Sequence, residues 1–162
     1  MELFNFTIIN NIQGWKVVDD GVMGGKSNGK FTFDSGGYAT FSGNISLKHN
    51  GGFSSVRYDF PRKEIQKYTA VVCTVKGKPS RYQLRLKSSK NDAHAYIQHF
   101  KTAKYWQSVT LKLGEFYPTY KGKRLDIPSY PGIYLEQIAF LIANKEEENF
   151  QLDIRDITFI SF

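Results

Sequence analysis

Cysteine is almost absent. Cys73 is the single one in 162 residues, so no internal disulfide can form and nothing calls for an oxidising compartment. It lies in the apolar run Ala70-Val71-Val72-Cys73-Thr74-Val75, the setting of a buried, inert thiol rather than a nucleophile. Long apolar runs are missing too, and none approaches the ~20 residues a membrane-spanning helix needs. The opening MELFNFTIINNIQGW has neither the basic head and apolar core of a secretory signal nor the Arg- and Ser-rich character of an import presequence, so the expected location is the cytoplasm. Helical periodicity is scarce, and there is no internal repeat, linker or low-complexity segment. The three histidines, His49, His94 and His99, have no metal-ligand spacing. Ser27, Ser54 and Ser55 have no nucleophile-elbow setting. No cofactor and no enzyme are expected.

What is present points to strands. Hydrophobic residues make up 41% and aromatics 15% of the chain, with 13 Phe, 10 Tyr and 14 Gly, a mixture that favours strands and tight turns. Period-two alternation predicts strands at 30–33, 38–42, 53–60, 70–75, 82–87, 95–101, 107–113, 137–142 and 150–159, with 3–9 as a further strand or docked arm. A helical turn is expected near Leu135-Glu136, and Glu146-Glu147-Glu148 as a solvated hairpin tip. About nine strands without a long helix make an all-β, two-sheet antiparallel β-sandwich of the jelly-roll kind, one domain over 1–162.

The alternation also assigns faces. Val56, Tyr58 and Phe60 oppose Ser55, Arg57 and Asp59; Tyr82, Leu84 and Leu86 oppose Gln83 and Arg85. Tyr96 and Gln98 are read as opposing Ala95 and Ile97, and Val109 and Leu111 as opposing Trp106. If these strands share a sheet, its outer face carries Arg57, Gln83, Arg85, Tyr96, Gln98 and Trp106.

The stretch Asp19-Asp20-Gly21-Val22-Met23-Gly24-Gly25-Lys26-Ser27 ends as a phosphate-binding P-loop does. The first glycine of such a loop would stand at position 20, where Asp20 puts a carboxylate instead, and a turn into a strand follows Ser27 where a helix should begin. These contexts exclude a nucleotide loop and leave tight glycine turns braced by aspartates.

Together with Trp15, the segment Asp20-Gly21-Val22-Met23-Gly24-Gly25-x-Ser27 is followed by Gly43-x-x-Ser46-Leu47 and by Asn50-Gly51-Gly52-Phe53-x-Ser55-Val56-Arg57. Then come Phe100-x-Thr102, Trp106, Phe116-x-Pro118, Gly122-x-Arg124, Phe140-Leu141-Ile142, Lys145 and Phe150-x-Leu152-x-Ile154. From Trp15 to about Ile157 this order resembles the complex I intermediate-associated protein 30 family. The resemblance implies a galactose-binding-domain-like β-sandwich, a superfold that also includes many carbohydrate-binding modules. It also implies a chaperone-like partner in complex assembly rather than an enzyme. Two departures stand out: Asp19 occupies a place where the family more often has Asn, and Lys78-Pro79 replaces an acidic, glycine-containing turn. The two glycine-rich segments are expected to pack together at one end of the sandwich, with Arg57 bridging to Asp19 or Asp20.

Two functions remain open at this point. One is a protein-interaction or chaperone-like module, whose client would be a respiratory or membrane-complex subunit; the net charge of +7, spread without a basic block, suits an acidic partner. The other is a carbohydrate-binding module using Trp106, Tyr96, Gln98, Gln83 and Arg57. Nucleic acid is disfavoured, since the chain has no RNP motif and no Arg-rich stretch.

Overall fold

The computed structural model describes residues 1–162, apart from the side chains of Val22 and Met23. Its strands, in chain order, are β1 (Glu2–Asn5), β2 (Trp15–Asp19), β3 (Asn28–Asp34), β4 (Tyr38–Ile45), β5 (Ser54–Glu64), β6 (Ala70–Gly77) and β7 (Arg81–Lys87). They continue with β8 (Ala95–Lys101), β9 (Gln107–Lys112), β10 (Tyr117–Tyr120), β11 (Lys123–Arg124), β12 (Tyr134–Ile142) and β13 (Glu148–Ile160).

Two antiparallel sheets divide these strands. Six form the order β3-β4-β13-β6-β9, with β1 also pairing β13; seven form β11-β10-β8-β7-β12-β5-β2. The two-sheet sandwich is therefore as the alternation predicts. The long β13 supports β4 with its first half and β1 with its second.

Between the sheets lies an apolar layer. Phe41, Val71, Cys73, Val75, Leu152, Ile154, Ile157 and Phe159 face Val56, Tyr82, Leu84, Leu86, Ile138, Phe140 and Ile142, all nearly without solvent contact. Each such large side chain contributes roughly 1.5–3 kcal/mol through burial. At one end Phe4, Trp15, Tyr58 and Phe60 pack as a nest, with Phe4 4.9 Å from Trp15 and 4.8 Å from Tyr58 between ring centres.

Several expectations are corrected. The turn expected near Leu135-Glu136 is instead part of β12, opposite a bulge in β5, where three residues between Asp59 and Lys63 face Glu136 alone. The bulge aims Glu136 at Arg62, 2.8 Å away, and at the Lys90 amide, 3.1 Å away. The Glu146–Glu148 segment does not tip a hairpin, because β12 and β13 belong to different sheets and the connection crosses between them. Glu148 is itself in β13, where its carboxylate accepts from Ser80 Oγ at 2.6 Å. Strands β2, β10 and β11 go unread in the sequence: adjacent Val17 and Val18 break the alternation of β2, and Pro118 demotes β10.

Cys73 is buried as expected, and burial pushes its thiol up to about 12, with Asp156 adding to the effect. An alkylating reagent should modify Cys73 only as fast as the native protein opens globally. Labelling under native conditions at the rate of a free thiol would contradict this burial.

Candidate functional site

The glycine-rich segment after β2 is a short 3-10 turn, Asp20–Met23, ended by Gly24 in the left-handed region at φ 86°. Its first residue, Asp20, has no solvent exposure. One carboxylate oxygen accepts the Ser27 amide at 2.9 Å, and the other accepts the amides of Gly52 at 2.6 Å and Phe53 at 3.3 Å. Its own amide donates to the Phe53 carbonyl at 3.3 Å, and its carbonyl accepts the Gly25 amide at 2.9 Å. A Cβ on Gly25 or Gly51 would run into the Asp20 carboxylate, which explains two of the glycines. Ser27 Oγ continues the network, donating to the Ser46 carbonyl at 3.1 Å and accepting the Ser46 amide at 2.8 Å.

Asp19 serves the same end of the molecule. It accepts the Gly29 amide of β3 at 2.9 Å and the Ser54 hydroxyl of β5, so one carboxylate ties the two sheets together. Ser55 Oγ donates to the Val18 carbonyl at 2.7 Å. Gly21 and Gly24 have open space where a Cβ would stand, Asn50 carries a positive φ of 58°, and the Met23 side chain lies outside the described residues.

Burial alone would raise the Asp20 pKa. The hydrogen bonds from Ser27, Gly52 and Phe53 outweigh it and hold the carboxyl below its usual range, so the buried group is an anion. The expected Arg57 bridge to this loop is absent. The serines and amides already fill the carboxylates, and Arg57 lies three residues into β5 with its side chain on the outer sheet face.

That outer face is the second feature. The ladder aligns Lys16, Arg57, Ala139, Arg85, Ile97 and Tyr117 in one row across six strands. The neighbouring row holds Asp59, Gln137 and Lys87, and the row on the other side holds Ser55, Leu141, Gln83 and His99. Arg57 Nε is buried without a hydrogen-bond partner. Arg85 donates only to Gln83 Oε1, at 2.9 Å, and burial lowers its pKa. Lys87 is lowered as well, by burial first and then by the charges of Arg57 and Arg85; its Nζ donates to the Asp92 carbonyl at 2.7 Å. Asp59, the carboxylate on this face, is occupied by Gln137 Nε2 at 2.7 Å. Among the described residues the one ion pair is Arg62–Glu136, outside this group. A hollow lined by Gly14, Lys16, Arg57, Tyr58 and Asp59 opens at the β2 end of the row.

Three expected members of the face lie elsewhere. Tyr96 pairs with Leu86 and Gln98 with Leu84, so both point inward; Ile97 and His99 take their places outside. Tyr96 packs against Tyr130 with ring centres 5.1 Å apart, and Gln98 Nε2 donates to the Lys112 carbonyl at 2.9 Å. Trp106 precedes β9 on the other sheet. There Arg155 stacks 4.2 Å and Lys76 4.9 Å from its ring centre, with Tyr38 edge-on at 5.4 Å. Of the predicted set, only Arg57, Gln83 and Arg85 come together. The alternation could not supply Lys16 or the Ala139 floor, because only strand order makes them neighbours of the arginines, whereas Lys87 follows Arg85 by two residues in β7 and goes unremarked in the sequence.

Among the described residues no group of three or more His, Cys, Asp or Glu is placed to hold a metal ion. None of the helical turns is long and apolar enough to cross a membrane.

The sequence profile of the family described as complex I intermediate-associated protein 30 matches residues 4–154. The chain belongs to that family. A search of curated proteins finds no match. Among solved structures, the family 11 carbohydrate-binding module of the cellulosomal cellulase Lic26A-Cel5E of Clostridium thermocellum is similar over 100% of this chain and 95% of its own, with a TM-score of 0.70 at 15% identity. The family 11 module from Clostridium thermocellum in complex with a β-1,3-1,4-mixed-linked tetrasaccharide is similar over 99% and 94%, with a TM-score of 0.67 at 16% identity. An agarase, AgWH50C, contains a similar region covering 100% of this chain and 24% of the agarase, at TM-score 0.65 and 10% identity. At these identities the likeness is one of fold.

Within this member of the complex I intermediate-associated protein 30 family, the two glycine-rich segments are thus two halves of one anion-holding loop pair. Replacing Asp20 with Asn should cost about 3 kcal/mol of stability, because it puts an NH₂ group against amide donors that then lack an acceptor. A carboxyl with a depressed native pKa stabilises above its unfolded value and loses that contribution as pH falls through the native value. Wild-type stability measured by denaturant titration should therefore drop below about pH 4, with a shallower drop for Asp20→Asn. Arg85→Met should act in the opposite sense and raise stability by about 1 kcal/mol, since it removes a half-buried cation without an anion partner. Destabilisation by Arg85→Met would show that the cation is internally compensated.

Proposed function

We propose that this domain is a non-catalytic protein-interaction module, acting in complex assembly, and that its client docks on the outer face of the seven-stranded sheet. Family membership supports the assembly role. The observation that carries the docking face is the row through Lys16, Arg57 and Arg85, with Lys87 beside it, whose cations have no carboxylate within ion-pairing distance. Desolvated arginines gain from an incoming partner what the fold does not give them. On the opposite sheet the polar groups already satisfy one another: Thr40 donates to Asp153 at 2.7 Å and Thr74 to Asp156 at 2.8 Å. The client surface is acidic by charge complementarity. Ser27, Ser54 and Ser55 all spend their hydroxyls within the loop network, which agrees with a binding rather than a catalytic role.

Carbohydrate binding is a second reading, favoured by the fold likeness to carbohydrate-binding modules. Against it, the proposed face lacks the flat, open aromatic that a neutral sugar stacks on. Trp106 is on the other sheet with two cations against its ring, and Tyr117 is covered by Arg124 at 4.6 Å.

Crosslinked pull-down from the source organism's lysate, membranes included, separates the two sheet faces. A client captured by wild type should be lost with Arg57→Gln/Arg85→Gln, retained with Trp106→Ala, and captured less as salt rises. Retention by the double variant, or loss with Trp106→Ala, would contradict the docking face. Saturable binding to a neutral glycan at millimolar concentration, abolished by the double variant, would favour the carbohydrate reading.

A further inference from the structure

Resting on this docking-face reading, we propose that Arg57, Arg85 and Lys87 form an oxyanion subsite over Ala139 that takes a carboxylate from an acidic peptide segment of the client. Arg57 and Arg85 flank Ala139 on strands β5 and β7, so their backbones stand about 10 Å apart with β12 between them. Two arginine side chains at that separation can turn their guanidinium heads toward each other above the alanine methyl. Ala139 is the smallest side chain in its row and gives the floor its depth. Lys87 lies two residues along β7 from Arg85, on the same side, close enough that both arginine charges disfavour its ammonium form.

The donors are left over rather than used. The Arg57 side chain makes no hydrogen bond in the fold, and its Nε–H is cut off from solvent. Arg85 has one bond, to a neutral amide that holds its plane without neutralising it. A planar carboxylate matches this supply, since a guanidinium presents paired N–H donors in a fork and a carboxylate accepts them in parallel. Asp59 and Gln137 bound the site on the β5 side and are engaged with each other, so the native carboxylate does not fill it. The hollow at Lys16 and Gly14 extends from the subsite along the row and gives the rest of an extended acidic segment a path past Lys16.

The test is titration of the full chain with a hexaglutamate peptide, followed through the arginine Nε–H resonances and by calorimetry. The Arg57 Nε–H signal should move, and binding should weaken as salt rises. Arg85→Gln and Ala139→Leu, the latter keeping every charge but filling the floor, should each weaken affinity about tenfold or more, while the exposed-loop change Lys26→Gln leaves it as in wild type. Thermal melts establish that each variant is folded. An unmoved Arg57 Nε–H, or wild-type affinity in Ala139→Leu, overturns the subsite. Movement with inorganic phosphate but not with the peptide overturns the carboxylate assignment. Failure of the peptide while the client still crosslinks to this face removes the subsite and leaves the docking face; peptide binding with a client crosslinked elsewhere supports the subsite and removes the docking face.

Discussion

The Asp20 carboxylate is the constraint on which this end of the molecule depends. An anion without solvent contact is stable only if the protein supplies its whole hydration shell, and here three backbone amides from two separate segments do so. Supplying them forces both segments close to the carboxylate, and that closeness admits no Cβ at Gly25 or Gly51. Asp19, one residue earlier, binds β3 in one sheet and β5 in the other. The pair of aspartates therefore fixes the loops to each other and the sheets to each other.

Opposite treatment of charge distinguishes the loop end from the sheet face. At the loop end a buried anion is fully satisfied; on the outer face half-buried cations are not. A fold optimised only for stability would place neutral side chains in the row through Arg57 and Arg85, since desolvated charge without a partner is costly. The glycine-rich loops account for the architecture, and the basic row is the face proposed for recognition.

Much of the sandwich is legible in the sequence because period-two alternation reports burial directly. Strand β8 matches its predicted range, 95–101, yet its faces are reversed. Small, apolar Ala95 and Ile97 read as core, and Tyr96 and Gln98 as surface. Pairing with β7 imposes the other phase, and a one-residue shift of phase exchanges every side chain between faces. Tyr96 is accepted inside because its ring packs on Tyr130, and Gln98 because its amide reaches a carbonyl at the sheet edge. The DGVMGG and NGGF segments are visible as a pair, but the residue joining them is not: Arg57 is an obvious counter-ion on paper, whereas backbone amides have no signature in a sequence. The row from Lys16 to Tyr117 combines six strands from along the chain, and strand order alone makes it a surface.

The most direct test of the separation between an architectural loop and a recognising face is amide chemical-shift mapping of the isotopically labelled chain against its captured client. The account predicts perturbations concentrated at Lys16, Arg57, Arg85, Lys87 and Ala139, with the amides of Ser27, Gly52 and Phe53 unmoved. Perturbation of those three amides, with the sheet face silent, would contradict it.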